Sequence, residues 1–203
     1  LEVLDGTGGS WHAILDRGAT PARATVTLGA FLPVAASDHG RHVTLVLGLL
    51  KADKFDWVVQ KATELGVARI VPVVTARSVA MSGRADRWRR IALEATEQCG
   101  RTVLPVIEDP MPFRAAFGVG PTDAIRVACW EDEAVVPFYD VIAPRDSSQP
   151  LVVWVGPEGG ISMEEAVALR AVGATTATLG PRILRSETAA IVAVAQAVGT
   201  GWI

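Results

Sequence analysis

The chain has 203 residues, of which 50% are hydrophobic and 20% charged, and its formal net charge is −3. This apolar share excludes an intrinsically disordered chain, and no apolar run approaches the length of about 18 residues that a membrane-spanning helix needs. The length suffices for one large domain or two small ones with a buried core.

The first 50 residues are predicted to form β-structure. Two apolar runs, at residues 1–4 and 11–15, flank a glycine-rich turn and indicate a hairpin. Alternation of apolar and polar residues continues over 23–32 and 42–50. We interpret this segment as part of a small barrel or sheet, and we expect its first strands to precede Leu1.

From residue 51 the apolar spacing becomes that of helices alternating with strands. Helices are predicted at about 51–65, around 88–95 with an end at Gly100, at 162–173 and at about 186–198. Strands are predicted at 69–74, 124–130, 151–155 and 176–179. The runs at 124–130 and 151–155 are continuously apolar, which is typical of strands buried on both faces of a parallel sheet. Pro72 favours an edge or strand-end position for 69–74, and Ser162 and Glu165 form a capping box.

This change in pattern divides the chain into a β module of residues 1–43 and an α/β module of residues 44–203. The second module is predicted to be a parallel sheet covered by helices. No internal repeat or low-complexity segment is evident in the sequence.

Positive charge is concentrated in the middle of the chain. Residues 43–115 carry 11 Lys and Arg against 8 Asp and Glu, and most of these cations are arginines. The planar guanidinium suits phosphate and base edges, and Gln98 and Arg101 at the end of the second helix add polar groups that can contact RNA. A solvated helix face and helix end would explain the same residues.

Cysteine and histidine usage bears on the compartment and on metal binding. Cys99 and Cys129 are the only cysteines and form no CxxC motif, so a reducing cytosol is predicted. The three histidines, His12, His39 and His42, lack the spacing of metal ligands. We therefore predict no metal site.

A glycine-rich loop, Val155-Gly156-Pro157-Glu158-Gly159-Gly160, follows the predicted strand 151–155. Glycine lets the backbone approach a ligand closely at the end of a strand. The loop lacks the lysine of a phosphate-binding loop and carries the acidic Glu158. These features suit a neutral or cationic ligand such as S-adenosyl methionine, which has a sulfonium and no phosphate. A plain turn, or a helix cap or dimer contact made by Glu158, is the alternative.

A second glycine loop lies between the predicted strand 176–179 and the last helix. It reads LGPRILRSETA over residues 179–189, with Arg182 and Arg185 on either side of an apolar pair. Ser186 is a candidate N-cap, and Glu187 suits the first helical turn. Because both glycine loops follow strands, they can converge on one ligand.

Four motifs together resemble one protein family. They are KADK at 51–54 leading into QKATELG at 60–66, the segment 94–101 with Pro105, GPEGG at 156–160, and LGPRILRSETA at 179–189. Their order and spacing over roughly residues 45–200 resemble the RsmE family of 16S ribosomal RNA uridine-N3 methyltransferases, within the SPOUT superfamily. Residues 1–42 resemble, less distinctively, the later strands of the PUA-like RNA-binding barrel of that family.

The resemblance implies an α/β fold with a SPOUT-type parallel sheet and a C-terminal trefoil knot, preceded by a partial PUA-like β-barrel. It also implies S-adenosyl methionine bound in the knot loops, and a cytoplasmic homodimer with its active site at the subunit interface. The implied partner is 16S ribosomal RNA or the assembled small subunit, without metal or membrane. The implied cofactor-binding residues are Val155, Gly156, Pro157, Glu158, Gly159, Gly160, Leu179, Gly180, Arg182, Ile183, Leu184, Thr188 and Ala189.

The resemblance further implies the chemistry. Uridine N3 carries a proton at neutral pH, so an enzyme must align N3 with the sulfonium methyl, share or remove that proton, and stabilise charge on the carbonyl oxygens. Arg185 is the candidate to hold the uracil oxygens or a phosphate. Glu187 or Glu158 is the candidate to assist deprotonation, directly or through water. The implied RNA contacts are Gln98, Arg101, Arg77, Arg84, Arg87, Arg90 and Lys51.

Two other functions remain open at this stage. A SPOUT methyltransferase that acts on another RNA, such as transfer RNA, would carry the same loops. A non-catalytic RNA-binding or ribosome-assembly protein would keep the fold, but it has no need of intact GPEGG and ILRSETA segments.

Overall fold

A computed structural model describes residues 1–20, 23–32, 42–78, 85–143 and 149–199. The strands of these residues form a small antiparallel sheet and a large parallel one. The small sheet has the order β1-β2-β3, with β1 at Glu2–Leu4, β2 at Ser10–Leu15 and β3 at Val26–Leu32. The predicted hairpin is confirmed, because β1 and β2 pair antiparallel.

The large sheet has seven strands in the order β10-β8-β9-β4-β5-β6, and β7 also pairs with β5. Its strands are β4 (Val43–Gly48), β5 (Arg69–Val74), β6 (Val106–Ile107), β7 (Met111–Pro112), β8 (Ile125–Cys129), β9 (Leu151–Val155) and β10 (Thr175–Ala177). The helices are α1 (Ala52–Glu64), α2 (Ala85–Cys99), α3 (Phe138–Ile142), α4 (Met163–Ala171) and α5 (Ser186–Gly199), with a 3₁₀ helix at Phe113–Gly118. The predicted α/β architecture with a parallel sheet is confirmed, whereas the trefoil knot and the PUA-like barrel stay predictions.

β4 lies at the centre of the large sheet, so the interpretation of the alternation at 42–50 as a continuation of the small sheet was wrong, and nearly all of this strand lies in the α/β module predicted from residue 44. It pairs with β5 on one side and β9 on the other, and all six of its residues are buried. Leu45 and Leu47 pack in the core on one face of the sheet, and Val46 packs in the core on the other. The polar residue that suggested alternation, Thr44, is itself fully buried.

β5 is an interior strand, so the edge position predicted from Pro72 was also wrong. On the side away from β4, β6 pairs with residues 69–70 and β7 with residues 73–74, which leaves a gap beside Pro72. The carbonyl of Ile70 points toward that side, where it accepts a hydrogen bond from Glu108 N–H, and alternate residues of a strand point the same way. The missing N–H of Pro72 therefore faces the gap and interrupts no ladder.

Helices cover both faces of the large sheet. α1, α2 and α5 cover one face, where Phe55, Trp88 and Val194 are almost inaccessible to solvent. α4 and the 3₁₀ helix cover the other face, where the rings of Phe113 and Trp154 lie 5.3 Å apart. This coverage leaves the ends of the strands as the places where loops can hold a ligand.

The small sheet docks on the chain that follows α2. In the turn between β1 and β2, Gly8 N–H donates to the carbonyl of Thr102 (3.1 Å), and the carbonyl of Gly6 accepts from Leu104 N–H (2.9 Å). These backbone contacts join the two sheets.

Arg101 stabilises the end of α1, which corrects its predicted role as an RNA contact. Its side chain is buried, and its Nη1 donates hydrogen bonds to the carbonyls of Thr63 (2.9 Å) and Val67 (3.0 Å). Between them lies Gly66, whose φ of +99° is typical of the glycine that follows a helix end. The guanidinium gives the Thr63 carbonyl a donor besides Gly66 N–H and bonds the Val67 carbonyl just beyond the helix, so it ties the helix end to the following chain.

Replacing Arg101 by Met is expected to lower the free energy of unfolding by about 2–3 kcal/mol, because buried carbonyls lose a charged donor. The side chain of Arg90 is exposed and bonds to no described residue, so Arg90→Met is expected to change the free energy of unfolding by less than about 0.5 kcal/mol. Denaturant unfolding of both variants measures the difference. Equal losses would contradict the structural role of Arg101.

Candidate active site

A cavity of about 1100 Å³ opens at the carboxyl ends of β8, β9 and β10. Three loops line it, at residues 130–137 after β8, 156–160 after β9, and 178–185 between β10 and α5. Lys54 in the first turn of α1 completes the wall. Parallel sheets hold ligands at this end of their strands, so the two glycine loops are placed to share one ligand.

The backbone of the 156–160 loop packs closely against itself and against the end of β4. A Cβ added to Gly156 would lie 2.6 Å from the carbonyl carbon of Gly160, so no larger residue fits there. Gly160 itself has a φ of +73°, which disfavours other residues. Pro157 packs against the end of β4, where a Cβ on Gly48 would lie 2.5 Å from its nitrogen.

All but one of the residues predicted to bind the cofactor line this cavity: Val155, Gly156, Pro157, Glu158, Gly159, Gly160, Leu179, Gly180, Arg182, Ile183, Leu184 and Ala189. Thr188 is the exception, because it is exposed and lies outside the lining. Successive residues of a helix point about 100° apart, so Ala189 turns toward the cavity while Thr188 points away. The assignment of Thr188 to the cofactor stays a prediction.

The hydroxyl of Ser186 joins the two glycine loops, a contact that the sequence did not predict. It donates to the carbonyl of Pro157 at 2.6 Å. The first turn of α5 is closed instead by the carbonyl of Arg185, which accepts from Ala189 N–H at 2.8 Å. A serine at the start of a helix indicates an N-cap, but here its hydroxyl donates to a backbone carbonyl of the other glycine loop.

Lys54 lies between the carboxylates of Glu158 and Glu187, one from each glycine loop region. Its Nζ is 3.3 Å from Oε1 of Glu187 and 3.7 Å from Oε1 of Glu158. The same Glu158 oxygen accepts a hydrogen bond of 3.1 Å from Lys51 N–H, just before α1 begins. The sequence motif KADK contained Lys54, but only the fold shows that it faces both predicted catalytic glutamates.

Arg77 bonds the 156–160 loop, and Glu165 bonds the backbone next to Arg77. Nη1 of Arg77 donates to the carbonyl of Gly159 at 2.6 Å, and Oε1 of Glu165 accepts from Ala76 N–H at 2.8 Å. Glu165 also completes the predicted capping box with Ser162, which is confirmed. Arg77, predicted to contact RNA, is thus placed against the loop while its side chain stays half exposed.

The 130–137 loop is a wall of the cavity that sequence reasoning missed. Glu133 accepts from the Thr176 hydroxyl at 2.8 Å and from Val135 N–H at 3.1 Å, and pairs with Arg170 at 3.3 Å. The Thr176 hydrogen bond is the main cause that lowers the pKa of Glu133, so its carboxylate stays ionised at neutral pH. Burial raises the pKa of the neighbouring Cys129 thiol, which therefore stays neutral.

Two cations of the 178–185 loop have side chains without a partner among the described residues. Arg182 and Arg185 line the cavity and are exposed, and neither side chain forms a hydrogen bond or ion pair with a residue that the structure describes. Their guanidinium groups are therefore available for a ligand with oxygen acceptors, such as a carbonyl or a phosphate.

Those predicted RNA contacts that the structure describes lie outside the cavity lining. Arg87 is exposed and bonded to Asp56, with its Nη2 2.7 Å from the carboxylate, while Arg90, Gln98 and Lys51 are exposed. Arg84 lies outside the described residues. Within the described ranges no helix is long and apolar enough to cross a membrane, and no group of His, Cys, Asp and Glu is placed to hold a metal.

Residues 37–198 match the model of a family described as the RNA methyltransferase domain. The chain is 33% identical over 161 residues to ribosomal RNA small subunit methyltransferase E of Bacillus subtilis, covering 74% of this chain and 63% of the relative. It is 32% identical over 200 residues to the Synechocystis protein of the same name, covering 96% and 64%. The chain thus spans less than two thirds of the length of these relatives.

The fold is shared with a solved structure of the same kind. The crystal structure of ribosomal RNA small subunit methyltransferase E from Neisseria gonorrhoeae bound to S-adenosyl methionine has a TM-score of 0.84 and 30% sequence identity, covering 96% of this chain and 80% of that chain. This likeness confirms the SPOUT-type parallel sheet expected from the motifs. The chain belongs to the ribosomal RNA small subunit methyltransferase E family of RNA methyltransferases.

Proposed function

We propose that this protein transfers the methyl group of S-adenosyl methionine to N3 of a uridine in 16S ribosomal RNA. The observation that carries the proposal is the convergence of the 156–160 and 178–185 loops on one cavity. Its lining includes four glutamates and two arginines whose side chains bond to no residue that the structure describes. The names of the relatives support the RNA substrate, and the Neisseria relative bound to S-adenosyl methionine supports the cofactor.

The residues of the cavity fit this cofactor. Gly156 gives a close backbone cradle that a Cβ would fill, and the loop offers no lysine for a phosphate. The charged side chains that line the cavity are the cations Lys54, Arg182 and Arg185 and the carboxylates Glu131, Glu133, Glu158 and Glu187. This slight acidic excess suits a ligand with one net positive charge. When bound between the 156–160 and 179–184 segments, the cofactor supplies an electrophilic methyl group.

Arg185 is proposed to hold the uracil. A guanidinium donates through a planar fork, and the two carbonyl oxygens of uracil flank N3, where negative charge develops once the proton leaves. Arg185 lines the cavity, and its side chain donates no hydrogen bond to a described residue. Its donors are therefore available to the uracil oxygens.

Glu187 or Glu158 is proposed to take the N3 proton, directly or through water. Both carboxylates line the cavity, and the side chain of Glu187 is the more buried, at 15% exposure against 28%. Lys54 and the Lys51 amide hold the two groups in place.

RNA binding is proposed for the exposed groups around α2. Arg87, Arg90, Gln98 and Lys51 present donors to solvent, and guanidinium contacts to phosphate supply affinity without sequence preference. The module at residues 1–43 is proposed as the partial PUA-like RNA-binding domain, and residues 44–203 as the catalytic domain with the C-terminal knot.

We propose a homodimer with the cavity at its interface. Three apolar side chains in or beside the cavity lining are exposed. Tyr139 (59%) and Ile183 (87%) line the cavity, and Val135 (83%) lies in the 130–137 loop. Such a patch suits burial against a second copy. The free thiols Cys99 and Cys129 suit a reducing cytoplasm.

The test is to incubate unmethylated small ribosomal subunits, and separately naked 16S ribosomal RNA and transfer RNA, with the protein and isotope-labelled S-adenosyl methionine. Mass analysis of the nucleosides is expected to show labelled 3-methyluridine in 16S ribosomal RNA. Label found in transfer RNA instead, or in no RNA, contradicts the proposed function.

Replacing Arg185 by Met is expected to lower kcat by about 10²-fold or more, because the developing negative charge on uracil loses its donor. The Kd for S-adenosyl methionine, measured by calorimetry, is expected to stay within about threefold of the unmodified protein, since the exchange removes no contact proposed for the cofactor. Arg114→Met on the 3₁₀ helix, outside the cavity lining, is the matched control. Unchanged turnover in Arg185→Met would refute the assignment.

Replacing Glu187 or Glu158 by Gln tests proton removal. At least one of the two exchanges is expected to lower kcat by about 10²-fold or more at neutral pH, with partial recovery at higher pH where N3 loses its proton to solvent. The measurement is the pH dependence of kcat for both variants. If each keeps near-normal methyl transfer across the pH range, neither carboxylate is the base.

A further inference from the structure

Lys54, the last residue of the KADK motif at 51–54, positions Glu187 and Glu158 in the proposed reaction and so contacts both glycine-loop regions. Lys54 rises from the first turn of α1 and brings its ammonium within 3.3 Å of Glu187 and 3.7 Å of Glu158. These three side chains are one third exposed or less, at 32%, 15% and 28%. We call them the Lys54 triad.

The triad carries one net negative charge, because one ammonium faces two carboxylates. Its partial burial limits screening by water and salt, so its charge acts on a ligand in the cavity. All three members line that cavity, so the charge lies at the ligand site itself.

Methyl transfer changes the charge of the cofactor. S-adenosyl methionine has a sulfonium, an ammonium and a carboxylate, hence one net positive charge. When the methyl carbon bonds to the deprotonated N3, the carbon–sulfur bond breaks and its electron pair stays on sulfur. The product, S-adenosyl homocysteine, is a neutral thioether overall, and the uracil anion becomes neutral 3-methyluracil.

We infer that Lys54 sets the charge of the cavity and so limits its preference for the cationic donor over the neutral product. This inference rests on the proposed function. Without the ammonium, the triad becomes doubly negative and holds the sulfonium ground state more tightly. In the transition state the positive charge on sulfur is already decreasing. The extra attraction therefore stabilises the bound donor more than the transition state, which slows the reaction.

A purely structural role for Lys54 predicts a different result. If Lys54 only ties the two glycine loops together, its removal loosens the site for donor and product alike. The ratio of the two dissociation constants then stays unchanged. The ratio therefore separates a charge effect from a loss of shape.

The experiment measures Kd for S-adenosyl methionine and S-adenosyl homocysteine by calorimetry in the full chain. In Lys54→Met, the ratio of the product Kd to the donor Kd is expected to rise about three- to tenfold over the unmodified protein. Lys54→Gln, which keeps a polar side chain, is expected to show the same rise, and Lys54→Arg is expected to keep the original ratio. Thermal unfolding shows which variants are folded.

Lys61→Met is the matched control. Lys61 belongs to the same helix, has a similar exposure of 36% and pairs with Glu64 at 2.8 Å, but it does not line the cavity. Its removal takes the same charge from the chain and is expected to leave the ratio unchanged. Adding Glu187→Gln to Lys54→Met restores the net charge of the triad and is expected to return the ratio to its original value.

Steady-state kinetics supply a second readout. Lys54→Met is expected to lower both kcat and the KM for S-adenosyl methionine, whereas a loosened site raises that KM. An unchanged or lower Kd ratio in the folded Lys54→Met and Lys54→Gln variants would overturn the inference. If the unmodified protein binds neither compound, the proposed function itself fails.

Discussion

The close packing of the 156–160 backbone on the end of β4 is the constraint on which the rest of the site depends. A Cβ at Gly48 would lie 2.5 Å from Pro157, and one at Gly156 would lie 2.6 Å from Gly160. Because only hydrogen fits at these positions, the loop carbonyls are presented at fixed places. Ser186 then reaches the carbonyl of Pro157, and the two glycine loops form one cavity.

Burial separates the charged residues that stabilise the fold from those that can bind a ligand. Arg101 is buried, and its guanidinium donates hydrogen bonds to carbonyls at the end of α1. Lys54 pairs with two carboxylates. Arg182 and Arg185 remain exposed on the cavity. A cation whose donors are already bonded to protein acceptors has few donors left for a ligand. Exposure therefore decides which arginines are suited to bind RNA or uracil.

Local patterns in the sequence predicted the elements well. The apolar runs of β8 and β9 and the capping box of α4 were placed correctly, because periodicity and capping depend on neighbours within a few residues. The errors at Thr44 and Pro72 arose where the partner strands decide the role of a residue. The 130–137 wall was missed because Glu133 meets Thr176, 43 residues away in the chain.

The sequence by itself determined the alternation of helices and strands, the two glycine loops and the family to which the chain belongs, because these follow from residue types at short, ordered spacings. Only the tertiary structure decided that Lys54 joins Glu158 and Glu187, that Ser186 bonds Pro157 and that Arg101 is buried. Lys54 and Glu187 are 133 positions apart. The distance between groups so far apart in the chain, and the burial of each, depend on how the strands pack. No local sequence pattern encodes that packing.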